Sequence, residues 1–68
     1  MNTVNKPARD LKVGDIMIDA VDGNVYRDTV VKNEPSLGLC NITFRGEDGD
    51  IGSATLMPTV NVTVDTSA

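Results

Sequence analysis

The densest grouping of chemically capable side chains lies in "GEDGD", where Glu47, Asp48 and Asp50 crowd around two glycines. Asp22 and Asp28 form a second, looser acidic group. Such carboxylates could attract a divalent cation or a basic surface. Their spacing does not match a calcium loop, which needs oxygen ligands at regular alternate positions and a distal bidentate Glu. A solvated hairpin tip is therefore expected, and no metal site is assigned. Histidine is absent from the 68-residue chain. That excludes Ser-His-Asp and Cys-His catalysis within the chain, and every metal site that uses imidazole. The single cysteine, Cys40, supplies neither a zinc tetrad nor an intramolecular disulfide. It alternates with Ile42 and Phe44 and is expected to be a small buried apolar group. No G-x-x-x-x-G-K or G-x-G-x-x-G phosphate loop occurs. Local spacing forces no carboxylates into an acid–base pair. The expectation is a protein that is not an enzyme and uses no cofactor.

Charge narrows the partners. With 10 acidic and 6 basic residues the formal net charge is -4. Affinity for a nucleic-acid backbone comes from clustered Lys and Arg, often beside exposed aromatics. The nearest approach to that pattern is Tyr26 with Arg27 and Lys32, together with Arg45. Nucleic-acid binding is the alternative reading, disfavoured by net charge, and a structural or self-assembling component is another. Two N-x-T triplets, at Asn41 and Asn61, read as the polar positions of half-buried strands rather than as glycosylation sites.

Length limits what these residues can be built into. A chain this short buries only about 60% of the surface its unfolded form exposes. A thin core and a shallow functional face are expected instead of an enclosed pocket. No apolar run approaches the ~20 residues of a membrane span, and the N-terminal "MNTVNKPARD" lacks the apolar centre of a signal peptide. A cytoplasmic location is expected, because the lone cysteine suits a reducing compartment.

The elements follow from punctuation and alternation. Residues 1–7 read as a loose arm, polar and containing Pro7, and residues 66–68 as a tail; residues 8–65 form one domain. Ala8–Val13 allows one helical or 3₁₀ turn that sets Leu11 against the core. In "LKVGD", Gly14 reverses the backbone and Asp15 accepts a local amide hydrogen bond. "IMIDA" is read with Ile16, Ile18 and Ala20 inward. Asp22-Gly23 is a hairpin dipeptide, and a bend or bulge is expected near Asp28. "NEPSLG" breaks the chain, and Cys40, Ile42 and Phe44 then share one face. Ala54 and Leu56 return inward after the Asp48-Gly49 tip, and Val60, Val62 and Val64 alternate with Asn61, Thr63 and Asp65. The fold class is all-β: a small five-stranded SH3-like barrel, mostly an antiparallel meander, with at most one helical turn near the N-terminus. A five-stranded oligonucleotide-binding barrel ranks second.

"LKVGD" is similar to the opening of SH3-like barrels in ribosomal and translation proteins and of Hint domains. The Hint likeness stops there, because the splicing histidines have no counterpart. Over most of its length the order "LKVGD", "YRDTVVKNEP", "NITFRGEDGD", "ATLMPTVNVTV" resembles small uncharacterised β-rich proteins of actinobacteria and their phages. Leu56, Pro58, Val62 and Val64 match their L-x-P-x-x-x-V-x-V ending. This resemblance implies a fold and a source, and no catalytic residues. Together these features suggest a non-enzymatic domain that binds a bacterial or phage protein. Its candidate contacts are Tyr26, Arg27, Asp28, Glu47, Asp48 and Asp50.

Overall fold

The computed structural model describes residues 2–66. Strands β1 (Thr3–Pro7), β2 (Ile16–Val21), β3 (Asn24–Ser36), β4 (Leu39–Gly46), β5 (Ile51–Leu56) and β6 (Asn61–Asp65) are joined by short turns, with one 3₁₀ turn at Ala8–Asp10. They form a six-stranded sheet in the order β1-β6-β2-β3-β4-β5, every neighbouring pair antiparallel. The chain is thus all-β, as its alternation implies. Among the described residues there are six strands where five were expected, and their pairing leaves two edges, β1 and β5, where closure was expected.

The sixth strand comes from the segment expected to be a loose arm. Thr3–Pro7 pairs along its whole length with Asn61–Asp65. Its polarity reflects its place at an edge, where side chains face water, and Pro7 closes the strand where no further ladder donor is required. Thr66, expected in the tail, extends this contact, its N–H donating to the Asn2 carbonyl at 2.8 Å. Met1, Ser67 and Ala68, also assigned to the arm and tail, lie outside the described residues.

Turn chemistry fixes the registers. Asp22 and Gly23 take φ of 51° and 81° and join Val21 to Asn24, the type I′ geometry whose twist matches that of the strands. Leu37 and Gly38, at 54° and 77°, join Ser36 to Leu39 in the same way. Pro35 therefore does not break β3. It faces Cys40, one step from the hydrogen-bonded pair that closes the turn, where its missing N–H costs no ladder bond. At the third tip, Gly46 N–H donates to the Asp50 carbonyl at 2.8 Å and Gly49 N–H to the Gly46 carbonyl at 3.0 Å.

The sheet curls so that residues of β5 and β6, with three strands between them in the sheet, line one groove. Inside lie Ala8, Leu11, Val30, Cys40, Ile42 and Val64, with Met17, Phe44, Leu56 and Val62 packed against them. Ile42 and Phe44 share their face with Cys40 as expected. The inward residue of β2 is Met17, which pairs with the buried Val64; the expectation of Ile16, Ile18 and Ala20 is corrected. Apolar side chains occupy both faces of "IMI", so alternation alone did not set the parity. Ile16 and Ile18 stand opposite Asp65 and Arg27, on the face where those two side chains pair at 3.4 Å. The irregularity expected near Asp28 falls at Val31, between the pairs Val30–Phe44 and Lys32–Thr43. That extra residue turns Asn33 inward beside Ile42.

Asn33 and the 3₁₀ turn close one end of the molecule. The Asn33 Nδ2 donates to the carbonyls of Ala8 and Leu11, both at 3.0 Å. Ala8 N–H reaches Val60 at 2.8 Å and Arg9 N–H reaches Pro58 at 3.1 Å. The chain leaves this plug through Gly14, whose φ of +97° excludes an unstrained side chain. Asp15 Oδ2 then accepts from the Lys12 N–H at 3.0 Å and from Lys6 Nζ at 2.9 Å. Burial pushes the Asp15 carboxyl up, but the Lys12 amide, the Lys6 hydrogen bond and the charges of both lysines outweigh it and hold the carboxyl below its usual range.

Replacing Asn33 with Ala leaves the Ala8 and Leu11 carbonyls without that donor. A loss of about 1–3 kcal/mol, the cost of stranding shielded polar groups, is expected in urea unfolding. The slope of the transition should stay unchanged.

Candidate functional site

The end of the molecule opposite the plug is where the acidic side chains gather. The Asp22-Gly23 turn fixes the register of β2 on β3, so Met17 stands opposite Asp28 and Asp19 opposite Tyr26. Paired residues share a face, and residues two apart share it as well. Asp19, Tyr26 and Asp28 therefore project to the same side as Met17 and the core. On the next strand pair Asp28 stands opposite Gly46, the residue from which the Glu47–Asp48 tip departs.

A hollow of about 280 Å³ results, lined by Tyr26, Arg27, Asp28, Gly46, Glu47 and Asp48. Five of the six candidate contacts named from sequence thus converge, though two distant stretches of chain carry them. Asp50 does not line the hollow. Its N–H donates to Asp48 Oδ1 at 3.1 Å and its carbonyl accepts from Gly46, so it shapes the tip. Gly46 keeps the floor open: a Cβ there would stand 3.1 Å from Asp48 Oδ1 and 3.5 Å from Asp28 Oδ1. The two carboxylates approach each other over that glycine.

Asp28 feels the crowding. Burial first, then the negative charges of Asp19, Glu47 and Asp48, push its carboxyl above the usual range. Two residues of this cluster, Asp19 and Gly46, were missed from sequence. Asp19 was recoverable by counting back from the Asp22-Gly23 turn to find its partner Tyr26.

Asp28 also borders a second, larger depression of about 390 Å³ between β5 and the β2–β6 pair. Phe44, Ala54 and Leu56 line one wall, and Met17, Val60 and Val62 the other. Phe44 packs against Gly52, where a Cβ would come within 2.7 Å of the ring. Only glycine lets the aromatic side chain settle on the strand, so Gly52 helps shape the groove.

The basic candidates Arg27, Arg45 and Lys32 share the outer face of β3 and β4, the face away from Tyr26. Arg27 pairs with Asp65 at 3.4 Å and Lys32 with Glu34 at 2.6 Å, while Arg45 lies on the face of Thr29 and Ile51. The one tyrosine, half exposed, sits among carboxylates. Among the described residues, no group of three or more His, Cys, Asp or Glu side chains is arranged to hold a metal ion. No helix among them is long and apolar enough to cross a membrane. Compared with protein-family models, curated proteins and solved structures, the chain matches none.

The two aspartates with displaced titrations give opposite tests. Ionised Asp28 opposes folding above its raised pKa, so Asp28→Asn should increase stability at neutral pH. That gain should fade as pH falls from Asp28's folded pKa toward the ordinary aspartate value. Asp15→Asn should lower stability at neutral pH, and the loss should vanish as pH drops through Asp15's depressed folded pKa. Urea midpoints measured across the acid range check both signs.

Proposed function

We propose that this is a non-enzymatic binding domain, an SH3-like barrel variant extended by β1, whose Asp28-centred face receives a basic segment of another protein. The observation that carries the reading is the hollow itself. Asp28, Glu47 and Asp48 surround a space beside the exposed Tyr26 ring, and the Asp28 carboxylate is held there against its neighbours' charge. A Lys or Arg side chain entering that space would relieve the repulsion, and its stem or guanidinium would lie against the tyrosine. The binding partner thereby supplies the charge compensation that the domain's own residues leave out.

A bacterial or phage protein encountered in the cytoplasm is the partner this reading favours. Nucleic acid fits less well, because Arg27 and Lys32 are matched with carboxylates and the tyrosine is surrounded by acids. Binding of this kind needs neither an enclosed pocket nor a cofactor. It needs a rim beside the carboxylates, and the Gly46–Asp50 tip supplies one.

Affinity capture from bacterial lysate tests the proposal. A defined protein should be retained at low salt, released as ionic strength rises, and lost with the triple variant Asp28→Asn, Glu47→Gln, Asp48→Asn. Retention of nothing above background, or equal retention by the triple variant, would overturn the reading. A gel shift that weakens steeply with salt would transfer it to nucleic acid.

A further inference from the structure

The edge strand β5 differs in kind from the edge strand β1. Edges are ordinarily blunted by charge, proline or a bulge, because their unpaired backbone groups recruit other strands. β1 carries Lys6 and Pro7. β5, Ile51–Leu56, reads "IGSATL", with no charged residue and no proline, and its pairing with β4 is regular throughout.

The register identifies its free groups. Gly46 bonds to Asp50 across the tip, so hydrogen-bonded pairs along β4–β5 fall at Phe44–Gly52, Ile42–Ala54 and Cys40–Leu56. The Leu37-Gly38 turn gives the same phase from the other side of β4, by closing Ser36 on Leu39. Ile51, Ser53 and Thr55 therefore direct their N–H and C=O groups away from the sheet. Immediately beside them runs the groove walled by Phe44, Ala54 and Leu56 against Met17, Val60 and Val62, with Asp19 and Asp28 among its lining residues. The groove thus has an apolar end at Leu56 and Val60, and an acidic end at Asp28.

We infer that β5 accepts an extended segment of a partner protein as an added antiparallel strand, its side chains following the pattern apolar-x-apolar-x-Lys or Arg. The apolar residues stand opposite Leu56 and Ala54, and the cation stands opposite Gly52, within reach of Asp28. Addition of a strand uses main-chain hydrogen bonds for affinity and alternate side-chain pockets for specificity. Charge decides the occupant. A second copy of this chain pairing through β5 would bring a strand with no cation to the Asp19–Asp28 end. This inference rests on the proposed binding of a basic segment and names the way that segment is held.

A synthetic heptapeptide, acetyl-Ser-Val-Thr-Ile-Thr-Lys-Ser-amide, is the probe, titrated into the 15N-labelled protein. Slowed amide exchange at Ile51, Ser53 and Thr55, with shifts at Ala54 and Leu56, is the expected result. Methylating the peptide nitrogen of its second threonine, which faces Ser53, should weaken binding at least 10-fold. Replacing its lysine by Glu should do the same, and Asp28→Asn in the protein should weaken the unmodified peptide. Shifts confined to Tyr26 and Gly46–Asp48, with exchange at Ser53 and Thr55 unchanged, would overturn strand addition and leave the acidic hollow as the site. No binding of the peptide, while lysate capture remains dependent on Asp28, Glu47 and Asp48, would have the same meaning. Protection of Ser53 and Thr55 that grows with protein concentration in the absence of peptide would also overturn it, by assigning the edge to a second copy.

Discussion

A single curled sheet has no second layer, so its inner face stays dry only if its open end is stoppered. Here Ala8 and Leu11 serve as the stopper, and their backbone must be satisfied where water is scarce. Asn33 meets that need with two bonds from one amide, while Val60 and Pro58 accept from the other side. The turn thus links the middle of β3 to the connection between β5 and β6, segments with no shared strand pairing. With so few buried side chains, much of the fold's definition rests on this linkage. The opposite end, around Gly46, is left free to carry a recognition surface.

Sequence made some of this plain. The Asp22-Gly23 and Asp48-Gly49 tips, the 3₁₀ turn and the inward set Cys40–Ile42–Phe44 follow from local rules and are present; the last strand, read over residues 59–65, begins at Asn61 and leaves Val60 exposed. Asp15 also does what its place in "LKVGD" suggested, by accepting the Lys12 amide. What was illegible depended on distant partners. Nothing local marks Thr3–Pro7 as a strand, because its reason for being one is the free side of β6. Nothing local chooses Met17 over Ile16 and Ile18, because that parity is set by Val64. Pro35 was read as punctuation, although proline is harmless at a position that owes no ladder bond. Of the site, the residue types were visible and their convergence was not, since Gly46 and Asp28 meet only through pairing of β3 with β4.

Two aspartates show how the same side chain serves opposite ends. Asp15 is ringed by an amide and two lysines and favours the folded state when ionised. Asp28 stands among Asp19, Glu47 and Asp48 and opposes it. The two carboxyls therefore act on folding with opposite signs. Like charges thus gather at the Asp28 end, while Asp15, Asp65 and Glu34 elsewhere are paired with cations.

Cys40 gives the molecule an internal clock. It is the sole thiol, only 5% exposed, and sits on β4 between Pro35 of β3 and Leu56 of the bare edge strand. Alkylation of so shielded a thiol is slowed by its surroundings, so its rate reports on their local opening. That opening is thereby readable by mass spectrometry from a single added carbon group, without any engineered label.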